Sequence, residues 1–327
     1  MLPQNTLRIA IVPCNTILHA ETVAQYSPFT QITKHYIPAN LAVFLGFNPG
    51  SDMIAQHFKN KGVPTLCWWI GTDIANYTMP YNCPTCNHEM ARPVSPTNLY
   101  DYHWCPTEAN KKELESVGIK ATVQPVVQAI TYPIQKVPKD KKKIMVYVPL
   151  GRVDQVLTWE HFRAQQQNLY MISEVAKIIE ALPEVSFTIY GNHSPIEGQP
   201  RNVRSLGHIA KDQMPDLYAD HNIYLRWTSH EGIAQSCMEA KQSGLQVITN
   251  QKNPHMIHAD SVPTFIEAIK NMKLTGADKK GSKYYQELFS CKDVLNKWAK
   301  IMRSDNKHEM QAEYSSELND NYSGLQQ

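Results

Sequence analysis

IYLRWTSHEGIAQSCMEAKQSGLQVIT occupies Ile223–Thr249, and its reading decides the fold. Ile223–Thr228 is apolar and aromatic enough for a buried strand. A polar turn follows, then a helix over Ile233–Ser243 stopped by Gly244, then an apolar strand over Leu245–Thr249. Strand, helix and strand with short links form a βαβ unit, and such units build parallel sheets. Glu231 stands beside Gly232 at the mouth of that helix, and a second glutamate, Glu239, follows eight residues on.

The same alternation extends outward. Upstream, Ile144–Leu150 and Val185–Tyr190 read as strands, the latter ending at Gly191. Between them a helix over Asn168–Leu182 carries an apolar face of Ile172, Val175, Ala176, Ile178, Ile179 and Leu182. Further back, Leu7–Pro13, Leu41–Phe47, Pro64–Ile70 and Tyr102–Cys105 read as strands, and IKATVQPVV from Ile119 as another. A helix fits Thr107–Val117, with Thr107 as N-cap and Gly118 closing it. Ile130–Lys143, with two prolines and a lysine cluster, reads as a linker. The expected architecture is α/β, with two Rossmann-like domains facing each other across a cleft. The expected bounds are 1–135 (with an insertion at 74–100), 136–283, C-terminal helices at 284–304 that pack back towards the first domain, and a polar tail at 305–327.

Bulk properties narrow the function. With 327 residues, two cores are expected. A net charge of +2 argues against a nucleic-acid footprint or a charged membrane-binding surface. No apolar run is long enough to span a bilayer and the first residues lack a signal-peptide pattern, so a cytoplasmic location is expected. The seven cysteines are scattered, which disfavours a disulfide framework.

The two glutamates carry the chemistry. A helix start presents unpaired N–H groups and the positive end of a dipole, so it holds anions such as a diphosphate, and Gly232 allows close approach. Eight helical residues span about 12 Å, comparable to the reach from a sugar across a diphosphate to a ribose. A carboxylate at each end can accept hydrogen bonds from hydroxyls. Set against this is the plain alternative of two ordinary helix carboxylates.

EGIAQSCMEAKQSGLQV, from Glu231 to Val247, resembles the E-x7-E motif of the retaining glycosyltransferases of family 4, which have the GT-B fold. The resemblance covers about 100–250 of this chain. It implies a sugar transfer from a nucleotide-diphosphate sugar to a hydroxyl acceptor, with retention and without a metal cofactor. It further implies that Glu239 binds the ribose, that Glu231 binds the donor sugar, and that the amides of Gly232, Ile233 and Ala234 hold the diphosphate. Gly191 and Asn192 would border the donor, the Gly207–Ile209 stretch with His208 and Ile209 would lie along the nucleobase, and His230 could touch the sugar or be an ordinary loop histidine. The family's Arg–Lys phosphate grip is altered here: Arg152 is present, but Leu157 stands five residues on. Arg163 or Arg226 could supply the second charge, and Arg226 could equally be a buried structural arginine.

Asp73, in WIGTDI, could orient or deprotonate the acceptor, or simply cap a helix. Cys83 and Cys86 are spaced like half of a structural zinc site, with Cys67, His88, His103 or Cys105 as completing ligands. Three further readings stay open: a transferase acting on a hydroxylated nucleic-acid base, a nucleotide-sugar epimerase, and a zinc-braced nucleic-acid-binding module without catalysis.

Overall fold

The computed structural model describes residues 9–13, 30–32, 39–47, 51–78, 96–125, 132–149, 157–164, 169–192, 195–288, 294, 296–298 and 300–301. The described residues divide into two compact units, one formed by those up to 125 together with those from 294 onward, the other by those from 132 to 288.

The first unit holds strands β1 (Ile9–Pro13), β2 (Thr30–Ile32), β3 (Leu41–Leu45), β4 (Thr65–Trp68), β5 (Tyr102–Cys105) and β6 (Thr122–Val123). Its helices are α1 (Asp52–Asn60), α2 (Thr72–Thr78), α3 (Pro96–Leu99) and α4 (Glu108–Ser116). The strands pair in the order β2-β1-β3-β4-β5-β6, and every pairing is parallel. Strand β3 is buried at every position because its alternate residues feed two different cores. Ala42 and Phe44 join one apolar cluster, while Leu41, Val43 and Leu45 join the other. The second cluster is closed by Val294, Trp298 and Ile301, a helical i, i+4, i+7 stripe. Thr107 caps α4, its side chain accepting from the Asn110 amide.

The second unit holds β7 (Lys143–Tyr147), β8 (Ser186–Tyr190), β9 (Val203–Ser205), β10 (Ile223–Arg226), β11 (Gln246–Thr249) and β12 (Ile257–His258). Its helices are α5 (Trp159–Ala164), α6 (Ile172–Glu180), α7 (Met214–Ala219), α8 (Gln235–Gln242), α9 (Val262–Asn271) and α10 (Lys279–Leu288). The order is β12-β11-β10-β7-β8-β9, again all parallel. The chain moves outward from β7 to β8 and β9, then returns to place β10 on the other side of β7. The switch point of the sheet therefore lies between β7 and β10, where open α/β sheets form a crevice beyond their carboxyl ends.

Three local expectations need correction. The helix after β10 starts at Gln235 rather than at Gly232 or Ile233, because Ala234 is extended (φ −60°, ψ 125°) and serves as its N-cap. Helix α6 starts at Ile172, because Met171 before it turns left-handed at φ 44°. The stretch read as a linker is packed on the second unit: Tyr132 and Val137 are buried in its core, and the Tyr132 amide donates to Gln242 Oε1. An aromatic ring among the prolines outweighed their linker-like composition. Among the described residues no helix is long and apolar enough to cross a membrane.

Candidate functional site

The site is built on the loop between β10 and α8. Three contacts fix that loop. Trp227 stacks on Phe265 at 4.6 Å between ring centroids. Thr228 exchanges hydrogen bonds with the Asn250 side chain, its amide donating at 3.2 Å and its carbonyl accepting at 2.7 Å. The Ser229 amide donates to the Leu169 carbonyl at 2.9 Å, tying in the segment that carries Tyr170.

So held, the loop delivers Glu231 against Arg226, the last residue of β10. Arg226 Nε and Nη2 both donate to Glu231 Oε2, at 2.9 and 2.7 Å. Arg226 is only 5% exposed, and its guanidinium lies over the rings of Tyr170, at 4.7 Å, and Tyr147, at 5.4 Å. Tyr147 ends β7, so this cluster occupies the switch point itself. Gly191, at the end of β8, leaves Tyr147 its place: a Cβ there would come within 2.5 Å of Cε2 of the ring, and φ is +100°.

Glu239 lies about one turn into α8, four residues after Gln235 at the usual 3.6 residues per turn. Tyr218 donates its hydroxyl to Glu239 Oε2 at 3.1 Å, and Gln235 donates Nε2 to Oε1 at 3.0 Å. Burial pushes the Glu239 carboxyl up in pKa, while Tyr218, Lys211 and Gln235 pull it back part of the way. Burial raises the Tyr147 hydroxyl in pKa, Tyr170 adds to that, and the Arg226 guanidinium opposes it. Because Glu231–Ala234 is not helical, the spacing between the glutamates is a short loop plus part of a helix, not a straight helical rise.

The other donor-side residues fall as follows. Asn192 is buried immediately after Gly191, and the Gly191 amide donates to the Gly207 carbonyl at 2.8 Å. That bond brings Gly191 next to the loop carrying His208, exposed, and Ile209, half-buried. Gly232 and Ala234 are buried, and Ile233 and His230 are half-buried. Arg152 lies outside the described residues. Arg163 is not brought to this cluster. It is exposed and pairs with Glu180 Oε1 at 3.1 Å, at the helix end that leads into the start of β8 and so faces away from the strands' carboxyl ends. Sequence reasoning missed Tyr147, Tyr170, Tyr218 and Gln235. Only Gln235 carried a local signal, its i, i+4 spacing to Glu239.

Helix α8 is anchored on its other side by a second ion pair. Lys241, fully buried, meets Asp278 Oδ2 at 2.5 Å. Burial pushes the Asp278 carboxyl up, but the Lys241 side chain and the Gly281 amide more than offset that, and it sits below its ordinary value. Asp278→Asn is expected to cost about 3 kcal/mol in chemical denaturation at neutral pH, because it leaves a buried ammonium without its counter-charge. A carboxyl depressed in the folded state stabilises above its unfolded pKa, here 3.8, and loses that contribution as pH falls through the folded value. The gap between wild type and variant therefore closes in acid; a gap that stays constant down to the acid transition refutes this account.

In the first unit, Asp73 is 2% exposed. Its carboxylate accepts from the amides of Phe47 (2.8 Å), Gly71 (2.8 Å) and Ile70 (3.1 Å). Burial pushes its pKa up and these amides lower it, with the net direction upward. The geometry is that of a brace joining the ends of β3 and β4. Cys83, Cys86 and His88 lie outside the described residues. Of the proposed completing ligands, Cys67 and His103 are neighbours across β4 and β5, and Cys105 is buried with its thiol pushed up by burial. Trp69 donates to His103 Nδ1 at 3.3 Å, and burial holds that imidazole neutral, at about 4. Among the described residues no three His, Cys, Asp or Glu side chains gather into a metal-binding group, so the zinc expectation finds no support in them.

No family model matches the chain. It is 24% identical over 171 residues to the UDP-N-acetylglucosamine–peptide N-acetylglucosaminyltransferase GtfA subunit of Streptococcus gordonii, an alignment covering 46% of this chain and 32% of that one. The chain thus spans about a third of that relative's length. Among solved structures, sucrose-phosphate synthase from Thermosynechococcus elongatus superposes with a TM-score of 0.59 at 12% identity, over 91% of this chain and 98% of that one. The lipopolysaccharide outer core galactosyltransferase WaaB superposes with a TM-score of 0.54 at 10% identity, over 89% and 98%. Both are GT-B glycosyltransferases, and the fold of this chain is of the same class: α/β, with two Rossmann-like parallel-sheet units.

Proposed function

We propose that this chain is a glycosyltransferase that moves a sugar from a UDP-sugar to a hydroxyl acceptor, with retention and without a metal ion. The observation that carries the reading is the delivery of Glu231 and Glu239 by a single β–α unit at the switch point of the second sheet. The choice of uridine rests on the relative from Streptococcus gordonii, whose name specifies a UDP-sugar. Glu239 accepts one hydrogen bond on each oxygen, which leaves a lone pair on each for the ribose hydroxyls. Glu231 takes the donor sugar. The diphosphate lies at the start of α8, with Arg152 as its counter-charge. Asp73 is assigned to holding its loop rather than to proton transfer.

The test is to incubate the protein with UDP-GlcNAc, UDP-Glc and UDP-Gal, with and without simple glycoside and hydroxy-peptide acceptors. UDP release and the anomeric proton coupling of any product are then followed by NMR. Acceptor-dependent UDP release giving an α-linked product supports the reading. Conversion of the nucleotide sugar to its 2-epimer without transfer replaces it with the epimerase. Turnover is expected to persist in excess EDTA, since fixed cations and helix amides stabilise the leaving diphosphate. Loss of turnover that Mg²⁺ restores overturns the metal-free part.

A further inference from the structure

We propose that Arg226 is a positioning residue: it holds Glu231 by one carboxylate oxygen and reserves the other for a hydroxyl of the donor's hexosyl group. This rests on the donor-site reading of Glu231 given above. The motif that suggested Glu231 says nothing of Arg226, which precedes it by five residues in the strand.

The geometry is specific. A guanidinium facing a carboxylate usually makes two parallel bonds, one to each oxygen. Here Nε and Nη2 converge on Oε2 alone. Glu231 Oε1 has no hydrogen-bond partner among the described residues, although the side chain keeps only 23% of its exposure. An ionised carboxylate oxygen is acceptor only, so the group it can take must be an O–H or N–H donor. A sugar hydroxyl is such a group; the diphosphate is not. Nor is Arg226 free to swing towards phosphate. Its plane lies over Tyr170 and Tyr147, and Tyr147 is itself fitted against Gly191. Three strands around the switch point thus act on one carboxylate. Strand β10 supplies the cation, while β7 and β8 fix the ring that holds its orientation.

A buried ion pair on its own does not distinguish function from structure, so the test must separate them. Dissociation constants for UDP, UDP-GlcNAc, UDP-Glc and UDP-Gal are measured calorimetrically for wild type, Arg226→Gln, Arg226→Lys, Glu231→Gln and the double Gln variant. Melting temperatures are recorded alongside. Arg226→Gln is expected to leave UDP binding within about twofold of wild type. It should weaken the bound UDP-sugar by about 20-fold, the loss of one well-placed hydrogen bond to a charged group. Arg226→Lys, which can offer one bond to Oε2, recovers part of the loss. In the Glu231→Gln background, adding Arg226→Gln costs nothing more, because the arginine acts only through that carboxylate.

Equal weakening of UDP and UDP-sugar, or losses that add in the double variant, makes Arg226 a structural residue and overturns the inference. If Arg226→Gln does not fold, the Lys variant and Glu231→Gln supply the same UDP against UDP-sugar comparison. A wild type that binds UDP but none of the three sugars overturns the inference while sparing the nucleotide site. A wild type that binds no ligand of the four overturns the donor reading and the inference with it.

Discussion

Glu239→Ala is expected to weaken UDP binding by about a thousandfold while leaving the fold intact. The magnitude follows from two hydrogen bonds to an ionised carboxylate, each worth about 2 kcal/mol. The carboxylate is fixed before any ligand arrives: Tyr218 holds Oε2 and Gln235 holds Oε1, so binding a ribose diol does not require ordering a mobile side chain. The variant leaves the Tyr218 hydroxyl without this acceptor, which costs about 1 kcal/mol of stability. Burial raises the Glu239 pKa, so its folded value lies above the unfolded one. The ionised carboxylate is the form that accepts from hydroxyls, and UDP affinity should therefore fall in mild acid with an apparent midpoint above 4.5. The 2′-deoxy analogue of UDP supplies the control. Wild type should discriminate against it, and the Ala variant should bind both alike. Calorimetric titration in which the variant binds UDP as tightly as wild type removes Glu239 from the ribose site.

What the sequence revealed and what it hid follow one physical division. Alternation of apolar runs with helical patterns is a local property, and it located both sheets. Buried parallel strands are apolar on both faces and stand out as continuous runs, as LAVFL does at Leu41–Leu45. Gly191, Gly244 and Thr107 could be read because turns and caps have local chemistry: Gly191 and Gly244 both have positive φ, and Thr107 accepts the Asn110 amide. The site was legible only in its backbone, as two glutamates on one βαβ unit. Its electrostatics came from residues distant in the chain. Tyr147 and Tyr170 reach Arg226 from separate segments, and Tyr218 reaches Glu239 from the preceding helix. No periodicity encodes such meetings. Asp73 shows the converse. Its position after a strand suggested chemistry, but that position did not reveal the amides that converge on its carboxylate from two loops, one of them from Phe47.

Trp298→Ala is expected to destabilise the first unit by about 4 kcal/mol, the middle of the range for emptying a buried tryptophan site. Trp298 is fully buried and meets Trp68 edge to face, with centroids 6.1 Å apart and an interplanar angle of 88°. Trp68 in turn meets Trp104 at 5.2 Å, so three indoles form one row over the face of β4 and β5. Neighbouring polar contacts hold the row in register. Trp68 Nε1 donates to the Gln124 carbonyl at 2.7 Å, and Lys297 donates to Gln124 Oε1 at 2.6 Å, one residue before Trp298. Strands paired on both sides cannot collapse into the space an alanine leaves, which is why the cavity cost persists in addition to the transfer cost. Because the two units have separate cores, unfolding need not be a single transition. Hydrogen exchange resolves it. Protection should fall in β1, β3, β4 and β5, whose residues line this cluster together with Val294 and Ile301, and stay unchanged in β7 and β10. Equal loss in both sheets would show that Trp298 does not act on the first core alone. No loss in either would show that the tryptophan row contributes nothing to its stability.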